Sequence, residues 1–311
     1  MAPAAALLAA LVAALILDAL LGEPDWIWRR VPHPAVLAGR AVGWLDARLN
    51  RGRAQRAKGA AAVAVLVAGA MGLGWLLGRL PLAGVVEAVV AAILLAQRSL
   101  VDHVRAVACA LRRDGVAAGR RAVGRIVGRD TGGMDEARIA RAALESAAEN
   151  LSDGVVAPAV WFALGGLPAM LAYKVVNTAD SMIGYRTPRH ARFGWAAARL
   201  DDLLNWIPAR LTAGLILVAT ATRPGGLAAE AARHRSPNAG WPEAAMARAL
   251  DVALAGPRSY DGRMQDFPFV HPAGRRDPGA ADIERGVAVL WRSWAVLLGA
   301  ASLAAGLAAV S

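Results

Sequence analysis

Four stretches of this chain contain at most one charged residue each, and they limit the possible folds more than any other feature. They are residues 2–21, 59–78, 81–97 and 287–310. A helix needs roughly 20 mostly apolar residues to cross the bilayer core. The chain is 57% hydrophobic, with a mean hydropathy of +0.40, whereas soluble domains are usually about 45–50% apolar. These stretches predict an integral membrane protein.

The basic residues lie between the apolar stretches. The net charge is +11, and arginines are concentrated in residues 22–58, 98–153 and 223–286. Basic loops stay on the cytoplasmic side of a membrane, so this placement predicts a multi-pass protein of the bacterial inner membrane and argues against a nucleic-acid partner. The first stretch lacks a basic flank and a clear cleavage site, so we expect a retained anchor.

Two further apolar segments, residues 154–173 and 203–222, are broken or short. Two prolines and two glycines interrupt the first, at Pro158, Gly165, Gly166 and Pro168. Broken backbone at membrane depth is tolerated only where protein or a watery cavity surrounds it. Re-entrant or protein-buried pieces are therefore favoured, and two ordinary crossings with residues 174–206 outside are the alternative.

The predicted fold class is all-α. We expect a polytopic membrane protein with about four full spans, two broken or re-entrant segments and cytoplasmic helical loops, in a single domain over residues 1–311. Segment 98–153 is predicted to be helical with a break at Gly115. The only cysteine, Cys109, excludes an internal disulfide, and its half-apolar surroundings predict a packed thiol.

Three acids recur at helical spacing just before the first broken segment. Glu145, Glu149 and Asp153 are four residues apart, so on a helix they share one face, where like charges repel. Carboxylates and amides are hard oxygen ligands that suit Mg²⁺ held together with substrate phosphates. The alternative is a solvated helix face balanced by Arg138 and Arg141.

Two Asn-x-x-Asp pairs flank the same broken segment. They are Asn150 with Asp153, and Asn177 with Asp180. If the segment folds back on itself, both pairs meet at its mouth, although Asn177 could instead cap a helix beginning at Thr178.

Basic and acidic residues follow the second pair. Lys174 and Arg186 could supply anion contacts nearby. Asp201 and Asp202 adjoin an apolar segment, and acids in that position are costly unless they are paired or functional.

The turn Gly128-Arg129-Asp130-Thr131 precedes two more glycines. Glycines let backbone N–H groups approach a phosphate, and a neighbouring arginine can bind it with two donors. A helix-stop turn with a solvated arginine is the alternative. His33, which precedes a proline, could touch a substrate or be satisfied by backbone. No Walker A, GxGxxG or GxSxG motif occurs.

Several long stretches resemble one known family. They are DALLGEPDWIWRRVPHPAVLAGR, GRDT, ALESAAENLSDGVVAPAVWFALGGLPAMLAYKVVNTADSMIGYR, FGWAAARLDDLLNWIPARL and GPRSYDGR. Together, from about residue 18 to residue 269, they are similar to the cobalamin biosynthesis protein CobD/CbiB family of adenosylcobinamide-phosphate synthases. The resemblance implies a membrane enzyme that joins a carboxylate of adenosylcobyric acid to aminopropanol phosphate, or to threonine phosphate, by an amide bond.

The resemblance also implies Mg²⁺ and ATP as cofactors, and corrinoid, amino-alcohol phosphate, membrane lipid and other corrin-pathway enzymes as partners. From residue type and position, we expect Glu149, Asp153 and Asp180 to hold Mg²⁺. The expected catalytic set is Glu145, Glu149, Asp153, Asp180, Asp201 and Asp202. The expected substrate-binding set is His33, Arg129, Asp130, Thr131, Asn150, Lys174, Asn177, Ser181, Tyr185 and Arg186.

Two other classes of function remain open. One is a Mg²⁺-dependent membrane transferase acting on a lipid diphosphate, which would need more acidic paired motifs. The other is a non-catalytic membrane scaffold or corrinoid carrier, which would bind corrinoid but form no amide.

Overall fold

The structure is a computed structural model that describes residues 3–260 and 262–311. Residue 2 of the first predicted span and Asp261 of the GPRSYDGR stretch lie outside the described residues. Within those ranges the chain is mainly helical. The helices are α1 (Pro3–Leu21), α2 (Asp25–Trp28), α3 (Pro34–Leu49), α4 (Gln55–Leu77), α5 (Ala83–Leu94), α6 (Gln97–Val123), α7 (Glu136–Leu151), α8 (Ala157–Ile183), α9 (Trp195–Leu204), α10 (Trp206–Thr220), α11 (Leu227–Ala231), α12 (Gly240–Leu250) and α13 (Ala280–Val310).

Four short strands form two antiparallel ribbons between α12 and α13. They are β1 (Leu254–Ala255), β2 (Arg258–Tyr260), β3 (Arg263–Gln265) and β4 (Phe269–Val270). β1 pairs with β4, and β2 pairs with β3. The all-α prediction did not include these ribbons, because strands of two or three residues are too short to show an alternating pattern.

Five helical tracts among the described residues are long and apolar enough to cross a membrane. They are Ala4–Leu21, Gln55–Leu77, Ala83–Val123, Glu136–Ile183 and Ala280–Val310. The pair α9 and α10, bent by 43° between them, would make a sixth span. Many large apolar side chains on α4 are exposed, including Val65, Leu73 and Leu76, as expected where lipid replaces water. The predicted polytopic helical membrane fold is confirmed.

The predicted helix breaks are also present. α6 is interrupted at Gly115, whose φ of 78° is in the left-handed region that favours glycine. α8 is interrupted at Gly165 and Gly166, and Gly166 has a φ of 63°. Pro158 does not break the chain's helical course, because the tract Glu136–Ile183 runs through it directly after the π-helix Ser152–Val156.

One alternative and one prediction about local structure are wrong. α8 continues to Ile183, so Asn177 lies well inside a helix and does not cap one at Thr178. Cys109 is exposed on α6 and is not packed. Whether residues 154–173 cross the bilayer or re-enter stays a prediction.

The chain divides into two compact units by its internal contacts, and a single domain over residues 1–311 stays a prediction. Unit 1 comprises Met1–Ala96, Ala157–Asn205 and Ala300–Ser311, and unit 2 comprises Gln97–Val156 and Trp206–Gly299. The centre of unit 1 is the contact of α4 with α8. At Gly74 a Cβ atom would lie 2.5 Å from the Pro168 nitrogen, so the two helices approach too closely for any side chain there.

Unit 2 is built around α7. Almost every residue from Ile139 to Ala148 is buried, and α7 packs against α6, α12 and β1. Asp135 caps its start by accepting a hydrogen bond from the Arg138 amide at 2.8 Å. After Leu151 the chain forms a π-helix, Ser152–Val156, and the first segment of unit 2 ends with it. Wider turns of this kind occur frequently at functional sites.

We predict that Gly74→Ala destabilises the protein and that Gly72→Ala does not. A methyl group at Gly74 would overlap the α8 backbone, which cannot move aside like a flexible side chain. Overpacking of this kind costs typically about 1–3 kcal/mol. Gly72 lies on the same helix with no atom within 4 Å of the added Cβ, and alanine is the better helix former. Thermal unfolding in detergent measures both. Equal melting temperatures for the two variants would contradict the close packing of α4 on α8.

Candidate functional site

The predicted site residues lie in both units. Unit 2 contains the set from the acidic helix and the preceding turn: Arg129, Asp130, Thr131, Glu145, Glu149, Asn150 and Asp153. Unit 1 contains His33, Lys174, Asn177, Asp180, Ser181, Tyr185, Arg186, Asp201 and Asp202. Each group is described within its own unit.

A buried carboxylate organises the unit 2 group. Glu145 on α7 is only 3% exposed, and both of its oxygens have protein donors. Arg129 donates to Oε2 at 2.5 Å, and the Ala255 amide of β1 donates to Oε1 at 2.8 Å. Arg258 of β2 places Nη1 3.5 Å from the same Oε2. These contacts favour a positioning role for Glu145, which holds two arginines in place, over the role of a metal ligand.

Asp130 fixes the ribbon that carries Arg258. Its Oδ2 accepts hydrogen bonds from the Ser259 hydroxyl at 2.7 Å and the Gly262 amide at 2.8 Å. The Asp130 amide also donates to the Ser259 carbonyl at 3.1 Å. The turn containing Arg129 and Asp130 is therefore joined to the β2–β3 turn, about 130 residues later in the chain. Thr131 is half-buried beside it, and its carbonyl accepts from the Met134 amide.

These contacts enclose a cavity of about 190 Å³ within unit 2. Its charged lining consists of four arginines and two acids: Arg129, Arg138, Arg141, Arg258, Asp130 and Glu145. The two acids already accept hydrogen bonds from the protein. The cavity therefore has an excess of positive charge. Arginine binds phosphate and carboxylate with two parallel donors, so this cavity is suited to an anion.

A second buried acid lies near the arginines. Glu243 on α12 is 2% exposed, and its Oε1 is 3.5 Å from His234 Nε2. The Ser236 amide donates to His234 Nδ1 at 3.1 Å, so a neutral ring carries its proton on Nε2, facing Glu243. Among the described residues, no atom forms a hydrogen bond with Glu243 Oε2.

Burial controls the ionisation of this pair. It raises the pKa of Glu243 well above the usual range, and the negative charges of Glu145 and Glu149 add to the effect. Burial lowers the pKa of His234, and the positive charge of Arg258 lowers it further. The pKa of Arg258 is raised although burial opposes this, mainly because Glu145 attracts its charge. Glu243 and His234 are therefore both favoured in their neutral forms.

The other predicted site residues of unit 2 lie at the end of α7 and in the π-helix. Glu149 and Asn150 are exposed, and Asp153 is half-buried. Asn150 donates to the Ser146 carbonyl at 2.8 Å. Because Asp153 lies in the π-helix, it does not continue the α-helical spacing from Glu149.

The predicted Mg²⁺ ligands are Glu149 and Asp153 in unit 2 and Asp180 in unit 1. In the part of the chain that the structure describes, no cluster of three His, Cys, Asp or Glu side chains could hold a metal ion. Mg²⁺ is commonly bound by one or two carboxylates plus substrate phosphates. The assignment of these three acids to Mg²⁺ stays a prediction.

A hydrogen-bond network in unit 1 connects residues from α8 and α9. Asp201 accepts from Asn177 Nδ2 at 3.2 Å and from Asn205 Nδ2 at 3.0 Å. The buried Tyr173 hydroxyl donates to Asn205 Oδ1 at 3.0 Å. The structure thus brings Asn177 together with Asp201, although the sequence spacing had paired Asn177 with Asp180.

The other unit 1 residues are more dispersed. Lys174, Asp180 and Asp202 are half-buried, whereas Ser181, Tyr185 and Arg186 are exposed near the end of α8. Arg199 and Arg186 both attract the Asp202 carboxylate. His33 caps α3, because its Nδ1 accepts from the Ala35 amide at 3.1 Å, in agreement with the backbone-satisfied alternative.

Four residues with a place in these networks were not predicted: Arg258, Glu243, His234 and Asn205. Arg258 lies inside the GPRSYDGR stretch quoted above, and Asn205 follows Asp201 by four residues, so both had a sequence signal. Glu243 and His234 had none, because their roles depend on burial.

The fold and these sites define a class: a polytopic helical membrane protein with an arginine-rich cavity. The family model described as "CobD/Cbib protein" matches residues 11–290. The chain belongs to the CobD/CbiB family.

Relatives from several genera share the name "Cobalamin biosynthesis protein CobD". The protein of Rhizobium meliloti is 51% identical over 97% of this chain and 98% of its own length. That of Brucella anthropi is 46% identical over 92% and 93%, and that of Rhodobacter capsulatus is 45% identical over 97% of each. No solved structure matches this chain.

We predict that Glu243→Gln makes stability less dependent on pH. A carboxyl group with a raised folded pKa contributes stability that is complete below its unfolded pKa and is lost as pH rises through the folded pKa. Glutamine has nearly the same shape and cannot ionise. The melting temperature of the variant relative to wild type should therefore increase from about pH 5 to about pH 9.

Glu23→Gln, at an exposed position, is the matched control and should follow wild type at every pH. If Glu243→Gln and wild type lose stability in parallel as pH rises, Glu243 does not bind a proton in the folded protein.

Proposed function

We propose that the protein catalyses amide-bond formation in cobalamin biosynthesis. The reaction converts adenosylcobyric acid to adenosylcobinamide phosphate by joining a corrin side-chain carboxylate to the amine of aminopropanol phosphate or threonine phosphate. Membership of the CobD/CbiB family and the printed names of the relatives support the pathway. The anion cavity of unit 2 supports a phosphorylated substrate.

The observation that carries the proposal is the pairing of Arg129 with Arg258 around Glu145. It places two guanidinium groups in one cavity wall, although the two arginines are far apart in sequence. A phosphate dianion entering the cavity would gain charge-assisted hydrogen bonds from both arginines. Glu145 offsets part of their mutual repulsion when the cavity is empty, so the arginines stay in position.

The volume of the cavity favours the smaller of the two proposed substrates. Pockets for drug-sized ligands measure about 300–1,000 Å³, and this cavity is about 190 Å³. Adenosylcobyric acid, with its side chains and adenosyl group, is far larger than a drug-sized ligand, so the cavity suits the phosphate ester of a short amino alcohol. Met134 and Met264 contribute apolar surface to the lining, which suits the short carbon chain of such an ester.

The carboxylate of the corrin must be activated before an amine can attack it, most simply as an acyl phosphate. ATP is the proposed phosphoryl donor, as the family resemblance implies. Mg²⁺ held by Glu149 and Asp153 would offset the negative charge of the phosphates. The amine nitrogen then forms the C–N bond, phosphate leaves, and the nitrogen loses a proton.

Asp201 is the proposed proton acceptor of unit 1, with Asp202 as the alternative. The hydrogen-bond partners of Asp201 among the described residues are the neutral amides of Asn177 and Asn205. Neutral donors orient a carboxylate without the full positive charge that would oppose protonation. Asp202 differs, because Arg199 and Arg186 lie near it and oppose the effect of its burial. Asp180 of unit 1 stays proposed as a catalytic acid and Mg²⁺ ligand.

The direct test is a product assay on the chain purified in detergent. With adenosylcobyric acid, aminopropanol phosphate, Mg²⁺ and ATP, the corrinoid mass should increase by the mass expected for the amide, and should not increase without ATP. If corrinoid binds and its mass never changes, the scaffold or carrier function is favoured and every catalytic role above is lost.

Arg258→Lys tests the cavity. Lysine keeps the charge and loses the two-donor geometry, and a hydrogen bond to a charged group is worth about 1.5–3 kcal/mol. The KM for aminopropanol phosphate should rise about 10- to 100-fold, while the KM for the corrinoid should stay unchanged.

Arg263→Lys is the matched control, because Arg263 lies on the same ribbon, exposed and outside the cavity lining. Equal kinetics for the two variants would place the phosphate elsewhere.

A further inference from the structure

Helix α3 of unit 1 has two distinct faces. The inner face packs into a hydrophobic core, where the buried Val42 and the partly buried Leu45 and Leu49 meet Ile183 and Phe193. Asp46 also points inward, and it accepts hydrogen bonds from Asn50 at 2.9 Å and Arg189 at 2.6 Å. The only acid of α3 is therefore engaged on the protein side.

The outer face combines apolar and basic side chains. Val36, Arg40, Trp44 and Arg48 recur every four residues and form one exposed stripe. Leu37, which is half-exposed, lies beside this stripe. The Arg48 guanidinium lies over the Trp44 ring, 5.3 Å from its centroid. The outer face is thus both apolar and positively charged, with no acidic residue on it.

The surface around α3 continues this composition. At the end of α1, Leu20 and Leu21 are about 70% exposed, and Trp26 of α2 is 66% exposed. Residues 22–58 contain seven arginines and one lysine against three acids, one of which is the inward Asp46. All seven arginines are exposed. Arg40 and Arg48 belong to the outer face, and the others lie before α3, in the loop after it or at the start of α4: Arg29, Arg30, Arg51, Arg53 and Arg56.

The first residue of α3 follows the end of α1 closely in the chain, and local contacts order the connection between them. Only twelve residues separate the end of α1 from the first residue of α3. His33 caps α3 through the Ala35 amide, and the Trp28 ring meets the His33 ring edge-on at 4.5 Å. α1 is long and apolar enough to span a membrane, so α3 begins within a short distance of a membrane surface.

We propose that the outer face of α3 lies along the membrane interface and binds the headgroups of anionic phospholipids. Tryptophan and arginine are characteristic of that depth, since their apolar parts contact acyl chains while their polar groups reach the headgroups. Helices with an apolar and basic face lie in the interface plane and prefer anionic lipid. Binding of a dissolved anion would not explain the exposed apolar residues, and binding of neutral lipid would not explain the arginines.

The test uses quenching of Trp44 by brominated lipids in vesicles that contain the full-length chain. The difference between wild type and Trp44→Phe isolates the Trp44 fluorescence from that of the other tryptophans. A small fixed fraction of brominated phosphatidylglycerol should quench Trp44 more than the same fraction of brominated phosphatidylcholine. In the double variant Arg40→Gln/Arg48→Gln, each arginine removed should reduce the ratio of quenching by the two lipids about fivefold.

The matched control is Arg113→Gln/Arg121→Gln, which removes two exposed arginines from α6, a helix without aromatic residues. It should keep the preference of wild type. High salt should weaken the preference, since it screens exposed charges. No quenching of Trp44 by either lipid would overturn the interfacial position. Equal quenching by both lipids, or equal loss in the two double variants, would overturn the recognition of anionic headgroups.

Discussion

The buried carboxylate of Glu145 is the contact on which the rest of the candidate site depends. It accepts from Arg129 of the turn before α7 and from the Ala255 amide of β1, and it attracts Arg258 of β2. Removing one member of a buried ion pair typically costs about 3–5 kcal/mol, because the remaining charge loses its partner in a poorly solvated place. One side chain on α7 therefore joins the turn before this helix to the β1 and β2 strands, which follow about 110 residues later.

The same arrangement explains how positive charge is concentrated inside unit 2. Arginines repel one another, and a cavity lined by four of them would open or fill with counter-ions without a fixed acid. Glu145 and Asp130 are those acids, and their carboxylate oxygens accept hydrogen bonds from protein groups. The four arginines of the lining therefore keep an excess of positive charge that a ligand can meet. Burial raises the pKa of Glu243 and disfavours its charged form, so Glu243 offsets less of the charge of Arg258 than Glu145 does.

The sequence predicted the membrane class and the helix breaks because both depend on local composition. Apolar runs of about 20 residues form membrane-length helices, and Gly115, Gly165 and Gly166 interrupt helices at their own positions in the chain. The acidic face was predicted only in part. The spacing identified Glu145, but burial changes it from a candidate metal ligand to the residue that holds Arg129 and Arg258. The pairing of Asn177 with Asp201 depends on how α8 packs against α9, which no sequence spacing reveals.

The central claim is that the arginine cavity of unit 2 binds the phosphate of the amine substrate. A structure of the full-length chain in a lipid nanodisc, determined with aminopropanol phosphate, tests it most directly. The account predicts phosphate density within hydrogen-bonding distance of the Arg129 and Arg258 guanidinium groups, with Glu145 still bound to both. Phosphate density at any other place, with the cavity empty, would contradict it.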